Sequence, residues 1–389
     1  MKRVFTAFTL EIDDVNAAVD ELLAQIDIDE LLPHSIGLVS YTMEFSSSEI
    51  LPALQEALPF DLIGMTTLGT ATDGSYDLNQ LSILVLSSDE MSFSTALSEP
   101  INSDDESLMT NTYQQAVEAL PAQPALMIAF APLLLEIVGG DFYVDGLARA
   151  GCGVPLFGSV AIDPEISQKG SRVYYRGQEY DDRLALLVFA GNVSPHFNLV
   201  TASRIKMADE EGVVTNSHNN LLISVDNQPA IEFIKKDGVC VNEDGSVDGI
   251  LLYPLFVDYN DNTIPVTRSM AAVTPEGHIV AGGKIEAGSH VSVGFLDGHD
   301  VVSSARAHIA ELELGPDDTL LLFSCINRYF TLGYDYQEEA EAIHQRLEAT
   351  GTKFMLAYAA GEFCPVPNKD DDGTLTNRLH NNTLIGLVI

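Results

Sequence analysis

Apolar and polar positions recur in one order three times along this chain: an apolar strand, a helix, a second strand closing near a glycine, a polar loop and a third apolar strand. In the first copy the strands read IGLVSYT (36–42), FDLIGMTTLGT (60–70) and LSILVLSS (81–88), with SSEILPALQEAL as the helix between the first two. The second runs ALMIAFAP (125–132), a segment ending in the helical FYVDGLARAG, VPLFGSVAI (154–162) and RLALLVFAG (183–191). The third runs TLLLFSC (319–325), the helix DYQEEAEAIHQRLEA, KFMLAYAAGE (353–362) and TLIGLVI (383–389). A period of about 100 residues is too long for a solenoid, so the copies read as duplicated subdomains. The third strand follows the second with no helix between them, which mixes parallel with antiparallel pairing. Runs such as LLLF and ALLVF are apolar on both faces and need cover on both sides. The pattern predicts an α/β (α+β) fold in which repeated β-α-β-β units form mixed sheets layered with helices, in two domains.

Length agrees with two domains: 389 residues, 46% of them hydrophobic, exceed what one core organises. The boundary falls in the polar stretch MADEEGVVTNSHNN (207–220), giving a domain of residues 1–208 with two repeat units and one of residues 220–389 with the third. The second domain also carries a β-rich segment (RSMAAVT, HIVAGGKI, HVSVGFL) with a hairpin signal at Pro275-Glu276-Gly277, then the helical VVSSARAHIAELEL, stopped by Gly315-Pro316.

Charge narrows the partners. With 57 acidic against 19 basic residues the formal charge is −38, which repels nucleic acid and anionic membrane surfaces. The acidity reads as a solvated surface, with recruitment of cationic ligands or basic proteins as the alternative. Four cysteines, Cys152, Cys240, Cys325 and Cys364, stand without metal-like spacing and read as reduced thiols. The opening MKRVFTAFTLEIDD is too short for a signal peptide, and the longest apolar run, Ala125 to Val138, is broken by Pro132 and Glu136. A cytoplasmic chain with no membrane insertion is expected. Phosphate-loop, zinc-protease and nucleophile-elbow patterns are missing from the sequence, and neither cofactor nor metal is expected.

Candidate chemistry gathers in the third copy. Ser324-Cys325-Ile326-Asn327-Arg328 lies past a buried strand and before a helix, where open α/β sheets place ligands, and Arg328 offers a fork of donors to a carboxylate. The alternative for Arg328 is an ion pair with one of the many acids. Gly361 allows close backbone approach, and Glu362 could accept an ammonium or hold Arg328. Aligning the copies sets Gly69 against Gly361 and Thr70 against Glu362, so the first copy lacks the charge. His380, Asn381 and Thr383 precede the terminal strand, with Asn382 read as an Asx turn. Cys152 and Gly153 either cradle a ligand with backbone donors or cap the preceding helix. Cys325 with His380 could form a thiol nucleophile and base, against the reading of Cys325 as a core thiol. Residues 368–373 mimic the start of a calcium loop, but the twelfth position is Leu379 where a bidentate acid is needed.

The ordered motifs GCGVPLFGSVAID, YPLFVD, Arg268 ahead of a Gly-rich β segment, FSCINR, AYAAGEF and HNNT resemble the FIST family over nearly the whole chain. The resemblance implies a FIST N-terminal and a FIST C-terminal domain in a bacterial or archaeal intracellular signalling protein that senses a small ligand, in particular an amino acid. Members are often fused to histidine kinase, cyclic-dinucleotide or chemoreceptor modules. This chain shows no such module, so a separate output protein such as a kinase or cyclic-dinucleotide enzyme is implied. It departs from the family's Gly-Glu pair in GMTTLGT, at Thr70. The expected ligand site has Arg328 on the carboxylate and Glu362 on the ammonium, with Ser324, His380 and Asn381 orienting. Cys325, Gly361, Thr383, Arg268, Cys152, Gly153 and Thr67 complete it. Competing expectations are a thiol-dependent hydrolase or transferase at Cys325 and a protein-binding scaffold.

Overall fold

The computed structural model describes residues 1–166, 170–201, 211–370 and 372–389. All three copies form, and each gains a leading strand and helix. The first unit comprises Lys2–Thr9, helix Val15–Leu23, His34–Tyr41, helix Ile50–Ala57, Asp61–Thr66 and Leu81–Ser88. The second comprises Met91–Leu97, helix Ser107–Glu118, Pro124–Ala131, helix Gly140–Gly151, Leu156–Val160 and Ala185–Gly191. The third comprises His196–Val200, helix Gly298–Glu311, Thr319–Cys325, helices Ile326–Leu332 and Glu338–Glu348, Lys353–Ala359 and Leu384–Val388. In every unit the sheet order is leading, third, first, second strand. The first and second strands pair in parallel, Ile36 opposite Asp61, Met127 opposite Leu156 and Thr319 opposite Lys353. Parallel neighbours need a crossover, and the helix between them supplies it. The mixed, helix-covered sheets expected from the sequence are what forms.

Between its second and third strands each unit sends out an excursion, and the excursion completes a different unit's sheet. Thr70–Thr72 pairs with Lys353–Ala359 of the third unit. Val173–Tyr175, with Gln178–Tyr180 beyond it, extends the first unit at Asp61–Thr66. Glu362–Pro367, with Leu375–His380 beyond it, extends the second unit at Leu156–Val160. The three units therefore close a ring of exchanged strands. Paired backbone hydrogen bonds mark each crossing, and those at Gly69 and Gly361 share one pattern in which the second acceptor follows the first donor by one residue. Leu68 N donates to Tyr358 O and Tyr358 N to Gly69 O; Ala360 N donates to Val160 O and Val160 N to Gly361 O; Ile162 N donates to Thr66 O and Thr66 N to Arg172 O. Gly69 and Gly361 are thus structural equivalents, and Thr70 stands where Glu362 does.

The three sheets turn one face each into a shared core of Ile36, Ile63, Leu84, Ile128, Phe157, Leu187, Leu321, Phe323 and Ile385. Phe323 lies edge-on to Phe130, with ring centroids 6.3 Å apart. The helices cover the outer faces, as Leu51 and Leu54 do against Val39 and Leu62. An eight-stranded antiparallel sheet is inserted in the third unit between its leading strand and its first helix. Its strand Gly212–His218 occupies much of the stretch read as a polar boundary, of which residues 207–210 lie outside the described residues. Among the described residues no helix is long and apolar enough to cross a membrane.

Candidate functional site

The residues singled out in the third copy fold into two adjoining buried groups. Arg328 enters helix Ile326–Leu332 just after the strand end, and its guanidinium meets Glu339 of the next helix: Nε donates to Glu339 Oε1 at 3.0 Å and Nη2 at 2.5 Å. Nη2 also donates to Val301 O, and Ser324 Oγ donates to Glu339 Oε2 at 2.8 Å. Arg328, Ser324 and Glu339 are fully shielded from solvent. The ion pair weighed for Arg328 is therefore present, and the acid is Glu339 rather than Glu362. Its signal was in the sequence: Glu339 shares one helix stripe with Ile343 and Leu347, so the pattern that buries those two buries the acid.

Glu362 belongs to the second group. Its Oε2 accepts from Thr383 Oγ1 at 2.8 Å, and the Cys325 thiol lies beside it. Burial drives the Glu362 carboxyl well above the usual carboxylate range. Burial, reinforced by the Glu362 carboxyl, pushes the Cys325 thiol up as well. His380 Nε2 donates to Cys364 O at 2.9 Å, and burial pushes its pKa down to about 3. Cys325 thus lacks the thiolate, and His380 the basicity, that nucleophilic catalysis draws on.

The other candidates scatter. Arg268 is buried, with Nη1 donating to Leu379 O at 2.6 Å and Nη2 to Tyr259 OH at 2.8 Å. Thr67 Oγ1 donates to Gly69 O and closes a local turn. Cys152, with φ 45°, and Gly153, with φ 96°, cap helix Gly140–Gly151. In the calcium-like loop, Asp372 Oδ1 accepts from Thr374 N and Asp370 Oδ2 from Asn262 Nδ2, while Asp371 lies outside the described residues. A grouping of Asp297, His299 and Asp300 has metal-ligand proximity, but Asp297 and Asp300 exchange hydrogen bonds as the capping box of helix Gly298–Glu311.

The open space is elsewhere. A cavity of about 630 Å³, a size suited to a small molecule, lies where the second unit, the third unit's excursion and the inserted sheet meet. Loop and helix residues 132–149 form one side, Val160, Ala360 and Leu379 another, and Asn219, Asn220, Ala271 and residues 280–284 the third. Arg328, Glu362, Cys325 and His380 do not line it. Asn381 and Gly361 come near: a side chain at Gly282 would begin 2.6 Å from Asn381 Oδ1, and one at Gly361 3.4 Å from Leu379. The Asn381 Oδ1 has no hydrogen-bond partner among the described residues. Gly283 is required for the same close approach, since a Cβ there would meet Arg268 Nε at 2.9 Å and Asp141 Oδ2 at 3.0 Å.

Polar contacts join the cavity's sides. Asp141 Oδ2 accepts from Lys284 N at 2.6 Å and Asp145 Oδ2 pairs with Lys284 Nζ at 2.9 Å; at the rim, within the second unit, Arg149 pairs with Glu106 at 2.7 Å. The Asp145 carboxylate holds the Lys284 ammonium above its usual range. Residues 132–149 and 280–284 escaped the sequence reading because their walls come together only in the fold. The visible signal was the pair of double glycines, Gly139-Gly140 and Gly282-Gly283.

Residues 35–228 match the FIST N domain and residues 230–365 the FIST C domain. No curated protein matches the sequence. Among solved structures, a cyanuric acid hydrolase from A. caulinodans is similar at 8% identity, with 100% of this chain and 99% of that one covered and a TM-score of 0.40. A second cyanuric acid hydrolase structure gives 9% identity, coverage of 100% and 98%, and a TM-score of 0.35. PurLQS from Thermotoga maritima gives 9%, 100% and 72%, and 0.20.

Proposed function

The chain belongs to the FIST family, carrying both its N and C domains, and from that premise we propose that it is a cytoplasmic sensor that takes an amino acid in the cavity at the seam. FIST domains are signal-transduction sensor domains. The observation that carries the proposal is the cavity itself, walled by residues 132–149 of the FIST N domain and residues 271–284 of the FIST C domain. A ligand there touches both, so its binding energy acts on how they are held together. The partly exposed pairs Lys284–Asp145 and Arg149–Glu106 offer both signs of charge to a zwitterion. The Arg328–Glu339 pair and the buried Glu362 support the fold behind the site. The output in this reading belongs to a partner of the kinase or cyclic-dinucleotide class.

The test is a thermal-shift series of the twenty amino acids against the wild type and Ala271→Trp, which places an indole at an exposed position of the cavity wall. A ligand at about 100 times its Kd adds roughly 2.7 kcal/mol and raises Tm by a few degrees. A shift in the wild type that Ala271→Trp abolishes is expected. Equal shifts in both proteins would remove the cavity from the reading, and no shift with any amino acid would remove the ligand class.

A further inference from the structure

We propose that the ligand's bulk is apolar, a side chain of the leucine, methionine or phenylalanine kind, and that the loop of residues 133–139 closes over it with Leu135 and Ile137. The inference rests on the sensor reading above and adds to it which amino acids fit and how they are enclosed.

Depth and chemistry sort together in this cavity. The lining residues shielded from solvent are apolar: Leu133, Leu134, Val138, Val160, Ala281 and Leu379 are each at most 7% exposed. The side chains of Lys284, Asp145, Arg149 and Glu106 are at least 40% exposed and already paired, and the deeper carboxylate of the wall, Asp141 at 19%, accepts from Lys284 N. A ligand reaching the inner wall with a charged or hydroxylated side chain would give up water for hydrocarbon, whereas an apolar side chain gains there and leaves its ammonium and carboxylate among the outer charges.

The loop supplies the cover. Leu135 is 67% exposed and Ile137 37% exposed, on a segment whose other apolar members are buried in the cavity wall. Ile137 N and Val138 N both donate to Leu134 O, forming a single turn that holds Leu135 and Ile137 outward. One end is fixed, with Tyr143 OH donating to Pro132 O at 2.8 Å. The other end is Gly139, whose missing side chain would meet nothing within 4 Å, followed by Gly140. Gly139 carries no side chain to bar a change in its backbone angles, and such a change brings exposed hydrocarbon onto the apolar part of a bound ligand.

The chain contains no Trp, so Ile137→Trp places a single indole reporter on the loop. Leucine and phenylalanine should shift its emission to shorter wavelength, and by calorimetry they should bind the wild type roughly tenfold or more tighter than serine, aspartate or lysine. Leu135→Ser should weaken leucine about tenfold without lowering the Tm of the free protein. Preferential binding of polar amino acids, lost in Ala271→Trp, would overturn this inference and leave the sensor reading standing. Apolar amino acids that bind without moving the Trp emission and without loss in Leu135→Ser would overturn the closure. If none of the twenty binds, both readings fall.

Discussion

Arg328 and Glu339 form a charged pair sealed from solvent, with the guanidinium Nη2 2.5 Å from the carboxylate and Ser324 completing the acceptor's hydrogen bonds. Such a pair contributes little net stability against a well-packed apolar substitute, yet breaking it strands a charge in the core. Arg328→Met or Glu339→Leu alone should cost about 3–5 kcal/mol, and the double variant far less than the sum. Urea unfolding of the three variants checks this. Additive losses would mean the two side chains act independently.

Stability should fall with acid through two buried histidines. Burial pushes His380 down to about 3 and His308 to about 4, against an ordinary value of 6.5. The unfolded chain binds the proton first, so each contribution is complete above pH 6.5 and is lost as the pH falls toward the folded value. His380→Gln should flatten the decline between pH 6.5 and 4 by about 1.4 kcal/mol per pH unit. Glu362 acts in the opposite sense, because its raised carboxyl favours folding below pH 4.5 and loses that advantage as the pH rises. Glu362→Gln should therefore remove a loss on the alkaline side. Chemical-denaturation midpoints at stepped pH measure both slopes, and unchanged slopes would contradict the burial argument.

Thiol labelling should divide the cysteines two and two. Cys152 and Cys240 are exposed, whereas Cys325 and Cys364 are buried, with thiols pushed up by burial. A chromogenic disulfide reagent at neutral pH should release two equivalents quickly and the rest only on unfolding. Disappearance of the fast phase in the Cys152→Ser/Cys240→Ser double variant confirms the assignment. Rapid labelling of Cys325 would reopen its role as a nucleophile.

Gly64 sets how closely the first unit's parallel strands approach. A Cβ at this position would lie 1.7 Å from Val39 O, so Gly64→Ala should destabilise by roughly 3 kcal/mol or more. At Gly139, where nothing lies within 4 Å, Ala should change stability by less than about 1 kcal/mol. Thermal unfolding of the two variants supplies the comparison.

The runs around Leu38, Leu126 and Leu321 were legible because strands buried on both faces read as continuous hydrocarbon. Leading strands such as Lys2–Thr9 were not, since most of their positions are half-buried and carry mixed residues. Thr70–Thr72 is three residues long and pairs with a strand of another unit, which no local pattern encodes. The site divided similarly. Proximity of Ser324, Arg328, Glu362 and Thr383 followed from the repeat, but their burial follows from the helix and the exchanged strands laid over them. The cavity needed three distant stretches to meet, and the sequence marked them only by paired glycines and by Leu135 and Ile137, which looked like part of one apolar run.

The ring of exchanged strands also bears on how the protein is made. During synthesis Ser159 waits for Gly361, 202 positions downstream, and Thr70 for Leu356, 286 positions downstream. Until those residues leave the ribosome the second unit holds an open strand edge at Leu156–Val160, and Thr70–Thr72 has no sheet to join. Folding is therefore completed only when the third unit arrives, and a nascent chain halted before it presents unpaired edges to chaperones and to its neighbours. Residues 1–208 produced alone would carry the same open edges, and residues 211–389 supplied in trans would be the piece that closes them.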